Sequence, residues 1–265
     1  MAEKDPFGVA DRNYLIIGGT TGLGLSAARA LVREGARVFL VGRSPESLDS
    51  ALKELGKQAQ GFTGDATDST TVDFAMAGLK SAFGPLDGLY HVAGGSGRSQ
   101  GDGPLHDITD EGLDYTLQLN LNSLIYSNRA AVRQFREEPG RGGVILNMGS
   151  VLGYSPSPQH FASHAYAAAK SAILGFSKSI AAYYADQNIR VNVIAPALVA
   201  TPMSQRAQEK EEIMSFIEEK QPLDGGRIGS PQDLDEAALY LLGSKSRFVT
   251  GQVLAVDGGW TVSGH

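Results

Sequence analysis

The chain has 265 residues, 42% of them hydrophobic and 20% charged, which is enough for one sizeable core and near the upper end for a single α/β domain. A net charge of −6 argues against an extended nucleic-acid or anionic-membrane surface, and the absence of cysteine excludes disulfides, thiolate nucleophiles and cysteine-held metals. The segment Met1 to Phe7 carries acids where a signal peptide needs an apolar stretch, and no apolar run approaches the ~20 residues of a membrane span, so a cytoplasmic location is expected.

Short β-rich runs alternate with longer helical patterns along the chain. Strands are expected at Tyr14–Ile17, Arg37–Val41, Gly61–Phe62 with their neighbours, Leu86–Val92, Gly143–Met148, Arg190–Ile194 and Val253–Val256. These are near-continuous apolar runs, the pattern of strands covered by helices on both faces. The first helix runs from about Leu23 to Gly35. Ser44-Pro45 and Ser230-Pro231 each read as a cap followed by proline at the first helical position, and Asp68 caps a helix ending near Gly84. Two long helices are expected over Asp110–Arg136 and Ser163–Ala185. This order implies a doubly wound Rossmann-type three-layer sandwich, a seven-stranded parallel sheet in one domain spanning 1–265. Two stretches break the rhythm. Gly94–Asp107 is glycine-rich and follows the fourth strand. Ala195–Gly229 carries a charged helical segment, Gln205–Lys220. Both follow carboxyl ends of strands, so they are the expected substrate loop (94–107) and lid (195–229).

Gly18-Gly-Thr20-Thr21-Gly22-Leu23-Gly24 follows the first strand and opens an amphipathic helix. Glycines there let the backbone approach a pyrophosphate whose charge the helix N-terminus stabilises. Tyr166 and Lys170 stand four residues apart on a predicted helix, hence on one face. A neighbouring ammonium favours the phenolate, so the pair predicts a phenol of lowered pKa fit for proton transfer. Ser150 lies shortly upstream.

With these pieces the chain resembles the short-chain dehydrogenase/reductase family, in its short single-domain branch. The resemblance runs from Tyr14 to Trp260: Gly18-x-x-x-Gly22-x-Gly24, Gly64-Asp65-Ala66, Ala93-Gly94, Asn120, Asn147-Met-Gly-Ser150, Tyr166-x-x-x-Lys170, Arg190-Val-Asn-Val-Ile-Ala-Pro196, Thr201 and Val256-Asp-Gly-Gly259. It implies a nicotinamide dinucleotide oxidoreductase with a catalytic set of four. Tyr166 would be the general acid or base. Lys170 would tune Tyr166 and hold the nicotinamide ribose, Ser150 would bond the substrate oxygen, and Asn120 would anchor a proton-relaying water. Val199 and Thr201 would bond the nicotinamide carboxamide. Asp65 and the Ala66 amide would meet the adenine, although Asp65 also reads as a turn former.

Where an NAD enzyme places an acid, this chain has Arg43-Ser44, which favours NADP(H) over NAD(H) through a 2′-phosphate contact. An exposed turn arginine is the plainer reading of Arg43. The family pattern is broken at Ile17, His91-Val92 and Ala197. The gap from Ser150 to Tyr166 is a few residues long, fitting either a reshaped substrate wall or an outward bulge. His160 and His164 are four apart, but lack the motif of a metal site. The expected activity is hydride transfer to a carbonyl or from a secondary alcohol. The alternatives are a 3-oxoacyl-thioester reductase, with Arg129 and Arg133 docking an acidic carrier, and a non-catalytic dinucleotide-binding regulator. The resemblance also implies a homotetramer.

Overall fold

In the computed structural model, which describes residues 5–263, seven parallel strands lie in the order β3-β2-β1-β4-β5-β6-β7. They are β1 (Asn13–Ile17), β2 (Arg37–Gly42), β3 (Ala59–Thr63), β4 (Gly88–His91), β5 (Gly143–Met148), β6 (Ile189–Pro196) and β7 (Val253–Val256). Residues 1–4 of the acidic segment read above lie outside the described residues. Side chains alternate across the sheet. Tyr14 and Ile16 enter one core with α1 (Gly22–Arg33), α2 (Pro45–Leu55) and α9 (Asp235–Leu242). Leu15 and Ile17 enter the other, with α3 (Ser69–Phe83), α5 (Ser123–Phe135) and α6 (His164–Tyr184). Burial on both faces is why the strands read as unbroken apolar runs.

Strand order reverses between β1 and β4, which opens a crevice at their carboxyl ends. The local signals work as capping chemistry predicts. Ser44 accepts from the Ser47 amide, Asp68 accepts from the Thr70 amide, and Gly84 ends α3 in a left-handed conformation at φ 97°.

Three helical expectations need correction. Asp110–Arg136 is not one regular helix: α4 (Asp110–Leu117) passes through a π-helical turn at Gln118–Asn122 before α5. Ser230-Pro231 opens a tight 3-10 turn, closed by Asp233 accepting from the Ser230 amide, and α9 follows only at Asp235. The charged segment of the expected lid is two helices, α7 (Gln205–Gln208) and α8 (Glu211–Lys220). Its apolar residues Ile213 and Ile217 reach a small core with Val151 and Trp260, and that packing outweighs continuation of one helix.

Candidate active site

A cleft of about 370 Å³ opens at the reversal point, walled on one side by the glycine turn and on the other by β5 and α6. Gly18, Thr20, Thr21, Gly22, Leu23, Arg43, Ser44, Asp65, Ala66, Ala93, Gly94, Val199 and Thr201 line it, together with Ser150, Tyr166 and Lys170. Gly24 does not line it. A Cβ at Gly24 would lie 2.1 Å from the Gly18 carbonyl oxygen, so this glycine lets α1 start directly against the turn. The N-terminus of α1 has no side-chain cap and no acid in its first turn. Its free amides and dipole therefore suit a diphosphate. At the other end, exposed Arg43 and half-buried Ser44 and Ser47 surround the capped start of α2. Ser47 was not apparent in the sequence, although Ser44-Pro45 placed the helix start beside it. Asp65 accepts from the Thr67 amide at 2.9 Å and the Thr67 hydroxyl at 2.8 Å, so it shapes a turn while remaining on the cleft wall.

The opposite wall carries ionisable groups. Just past β5 stands Ser150, whose hydroxyl accepts from the Leu152 amide at 3.2 Å and lies beside the Tyr166 phenol. Lys170 is buried; its Nζ donates to the Met148 carbonyl at 2.9 Å and stands 5.5 Å from the Tyr166 ring centroid. Burial pushes the Tyr166 phenol up to about 12, only partly offset by the Ser150 hydroxyl. Burial also brings Lys170 down to about 8. The lowered phenol pKa expected from the Tyr166–Lys170 spacing is thus overturned. Desolvation dominates at this distance, and the ammonium spends a proton on a backbone carbonyl.

Asn120 sits at the centre of the π-helical turn and does not line the cleft. Its Nδ2 donates to the Gly95 and Thr116 carbonyls, both at 2.9 Å, and its Oδ1 accepts from the Gly95 amide at 3.0 Å. The side chain is therefore committed to holding the start of the 94–107 loop. A Cβ at Gly94 would lie 2.8 Å from Asn120 Oδ1 and 3.4 Å from Lys170 Nζ, so only the missing side chain brings these groups so close. Thr201 lies over the glycine turn; its amide donates to Ser204 Oγ, whose hydroxyl donates to the Val199 carbonyl.

Two buried networks behind the wall fix its geometry. Asn147 and Asn128 exchange reciprocal amide bonds at 2.9 Å, and Asn147 also donates to Ser177 of α6. His91 is fully buried, held far down to about 3 and hence neutral, with Nδ1 2.8 Å from Ser127 Oγ. The imidazole thus ties β4 to α5.

Asp102 is a residue that the sequence did not expose. Lying within the glycine-rich loop, it accepts from the Ala165 and Tyr166 amides, each at 3.0 Å, capping the helix that carries the tyrosine. Flanked by Gly101 and Gly103 it reads as a turn residue, and nothing local announces a partner 63 positions away. The long gap between Ser150 and Tyr166 also resolves. Trp260 Nε1 donates to the Ser155 carbonyl, and Phe161 stacks edge-on against Trp260 at 5.8 Å and lies 6.5 Å from Phe216. The inserted residues are therefore a platform beneath α8, not an outward bulge. His160 packs against Phe216 from outside any helix, while His164 is exposed at the start of α6, so the pair lacks helical i, i+4 geometry.

A doubly wound sheet, a glycine turn at β1 and a Ser–Tyr–Lys wall define a dinucleotide-dependent oxidoreductase, and a family model described as enoyl-(acyl carrier protein) reductase matches residues 18–261. The chain belongs to the short-chain dehydrogenase/reductase family, enzymes that use a nicotinamide dinucleotide to act on alcohol and carbonyl groups. It is similar to inactive 2-(S)-hydroxypropyl-CoM dehydrogenase 2 of Xanthobacter autotrophicus, 39% identical over 88% of this chain and 99% of that one. It is also similar to gluconate 5-dehydrogenase of Gluconobacter oxydans, 33% identical over 99% of this chain and 100% of that one. Among solved structures, a short-chain type dehydrogenase/reductase from Mycobacterium ulcerans superposes with a TM-score of 0.88 at 32% identity, covering 97% of this chain and 92% of that one. Among the described residues no helix is long and apolar enough to cross a membrane.

Proposed function

We propose that the chain is an NADP(H)-dependent oxidoreductase passing hydride between nicotinamide and a carbonyl or secondary-alcohol substrate, with Tyr166 as the general acid or base. The observation that carries this reading is the shared wall of the cleft: Ser150 beside Tyr166, with Lys170 on the next turn of the same helix. When bound, the nicotinamide supplies or accepts the hydride. The glycine turn and the start of α1 hold the diphosphate, and Thr201 and the Val199 backbone orient the carboxamide. Ser150 donates to the substrate oxygen as charge builds there. Tyr166, kept protonated far above neutrality, delivers a proton to that oxygen, which favours reduction as the working direction. Lys170 orients the ribose hydroxyls and restores the phenol's proton. Asn120 acts at one remove, by fixing the loop at Gly95 beside Lys170. The 94–107 loop shapes the substrate end of the cleft, and 195–229 covers it.

Among the described residues Arg43 makes no ion pair, and it stands with Ser44 and Ser47 where a 2′-phosphate would meet the start of α2, which supports NADP(H). Oxidation of NADPH and of NADH is measured against ketones, sugars, quinones and acyl thioesters. The expected outcome is turnover of a free ketone with at least a tenfold kcat/KM preference for NADPH. Turnover confined to carrier-bound 3-oxoacyl thioesters moves the assignment to that reductase class, to which a 31% identical relative from Haemophilus influenzae, 3-oxoacyl-[acyl-carrier-protein] reductase, belongs. Tight dinucleotide binding with no turnover of any carbonyl leaves the regulator reading; retention of Ser150, Tyr166 and Lys170 speaks against it.

Assembly as a homotetramer belongs to the same proposal. Leu113 and Tyr115 on α4, Tyr183 on α6, Leu254 in β7 and Phe248 shortly before it are exposed apolar groups that assembly would cover. Light scattering at micromolar concentration is expected to give a mass near four chains; a monomer there refutes it.

A further inference from the structure

Two arginines approach each other where the 94–107 loop meets the residues after β6. Gly95 and Met203 face across the cleft mouth: a Cβ at Gly95 would lie 3.9 Å from the Met203 sulfur. Arg98 and Arg206 stand three residues further along their respective segments. Arg98 is anchored on one edge of its guanidinium, with Nε donating to Ser163 Oγ at 2.9 Å and Nη2 to the His160 carbonyl at 3.4 Å. Ser163 occupies the cap position of α6 but does not cap it. Asp102 takes over that duty with both carboxylate oxygens, which frees the Ser163 hydroxyl to hold the arginine. Both hydrogen-bond acceptors of Arg98 are neutral, and the nearby Asp102 carboxylate, which offsets only part of its charge, is committed to two α6 amides, so Nη1 and the outer Nη2 hydrogen are still to be used. Arg206 makes no hydrogen bond or ion pair among the described residues; burial first, and the Arg206 charge second, lower the proton affinity of the Arg98 guanidinium against a smaller opposing pull from Asp102. Ser163 precedes Tyr166 by about 4.5 Å along the helix axis, so the anchor of Arg98 lies roughly one turn from Tyr166.

We propose that Arg98 and Arg206 form an anion clamp at the substrate end of the cleft, selecting small oxo or hydroxy acids whose carboxylate lies a few bonds from the reacting carbon. Like charges brought together with neither held in an ion pair are stabilised when a ligand supplies the counter-ion, and a guanidinium held on one edge presents its remaining fork to a carboxylate. The clamp deepens the proposed function and rests on the reading of the cleft as a reductase site.

The test uses straight-chain oxo acids with one to four methylenes between ketone and carboxylate, each paired with its methyl ester, with NADPH as reductant. The wild-type enzyme is expected to prefer one acid over its ester at least tenfold in kcat/KM, with the acid's KM rising with ionic strength. Arg206→Ala is expected to collapse that acid-to-ester ratio at least tenfold through KM, Arg206→Lys to restore part of it, and Arg98→Ala to match Arg206→Ala. Calorimetric binding of the same acids to the protein saturated with NADP+ gives a readout independent of turnover and is expected to weaken at least tenfold in Arg206→Ala. Acid and ester used equally by the wild type, a ratio indifferent to Arg206, or an arginine dependence seen only with carrier-bound thioesters overturns the clamp. Arg206-dependent acid binding without reduction of any ketone sustains the clamp and defeats the reductase reading instead.

Discussion

The two walls of the cleft are built from different materials. The glycine-turn wall is mostly backbone: free amides at the start of α1, a carbonyl of Gly18 in contact with Gly24, and no group there that titrates near neutrality. The facing wall places Tyr166 and Lys170 where desolvation controls both, driving the phenol up to about 12 and the ammonium down to about 8. The first wall depends on space and is indifferent to pH. The second depends on charge held out of water, and its chemistry is obtained at the expense of stability.

The largest separation of the walls comes from Tyr166→Phe, which removes the proposed proton donor while leaving the turn untouched. Turnover is expected to fall by about 10²–10⁴-fold with dinucleotide affinity within a factor of about three, as read by steady-state kinetics and fluorescence titration. Unchanged turnover breaks the assignment of chemistry to the β5–α6 wall. Next comes Gly24→Ala, whose added Cβ would sit 2.1 Å from a backbone oxygen that cannot swing aside. It is expected to raise the NADPH KM at least tenfold and to destabilise the fold by on the order of 1–3 kcal/mol in urea titration. Wild-type affinity in that variant denies the turn its role.

The smallest effect is the most discriminating. Lys170 has a folded-state pKa below its unfolded value, so its charged form costs stability fully below pH 8 and the cost disappears as pH rises from about 8 to 10.5. Lys170→Met is therefore expected to be inactive yet more stable at pH 7 by on the order of 2 kcal/mol, after allowing for the Met148 carbonyl left without its donor. Its unfolding free energy is expected to stay flat over the window in which the wild type gains. In the wild-type enzyme, reduction kcat/KM is expected to fall above about pH 8 as Lys170 deprotonates, long before Tyr166 does. A less stable variant with unchanged pH dependence refutes the desolvation account.

Much of this was legible along the chain. The glycine turn, the caps at Ser44 and Asp68, the seven strands and the Tyr166–Lys170 pair are local signals, each set by spacing or by one residue's backbone preference. The residues that the sequence concealed act over distance. Asp102 reads as a turn acid until α6 is seen to end against it, and Arg98 as a loop cation until Ser163 is found holding it. Asn120 invited a role in the cleft because its neighbours are apolar, whereas the π-helical turn points its amide at Gly95. The proton affinity of Tyr166 was misread because spacing announces a nearby charge but says nothing of how much water the fold removes.

The sequence by itself determined the order and type of the elements, the place of the glycine turn and the four-residue spacing of Tyr166 and Lys170, since periodicity and glycine geometry are local properties. Only the tertiary structure decided which residue caps the catalytic helix, how the segment before Tyr166 packs beneath α8, and in which direction burial moves the two pKa values. Those outcomes depend on contacts between segments far apart in the chain and on the solvent they jointly exclude, and neither is written at any single position.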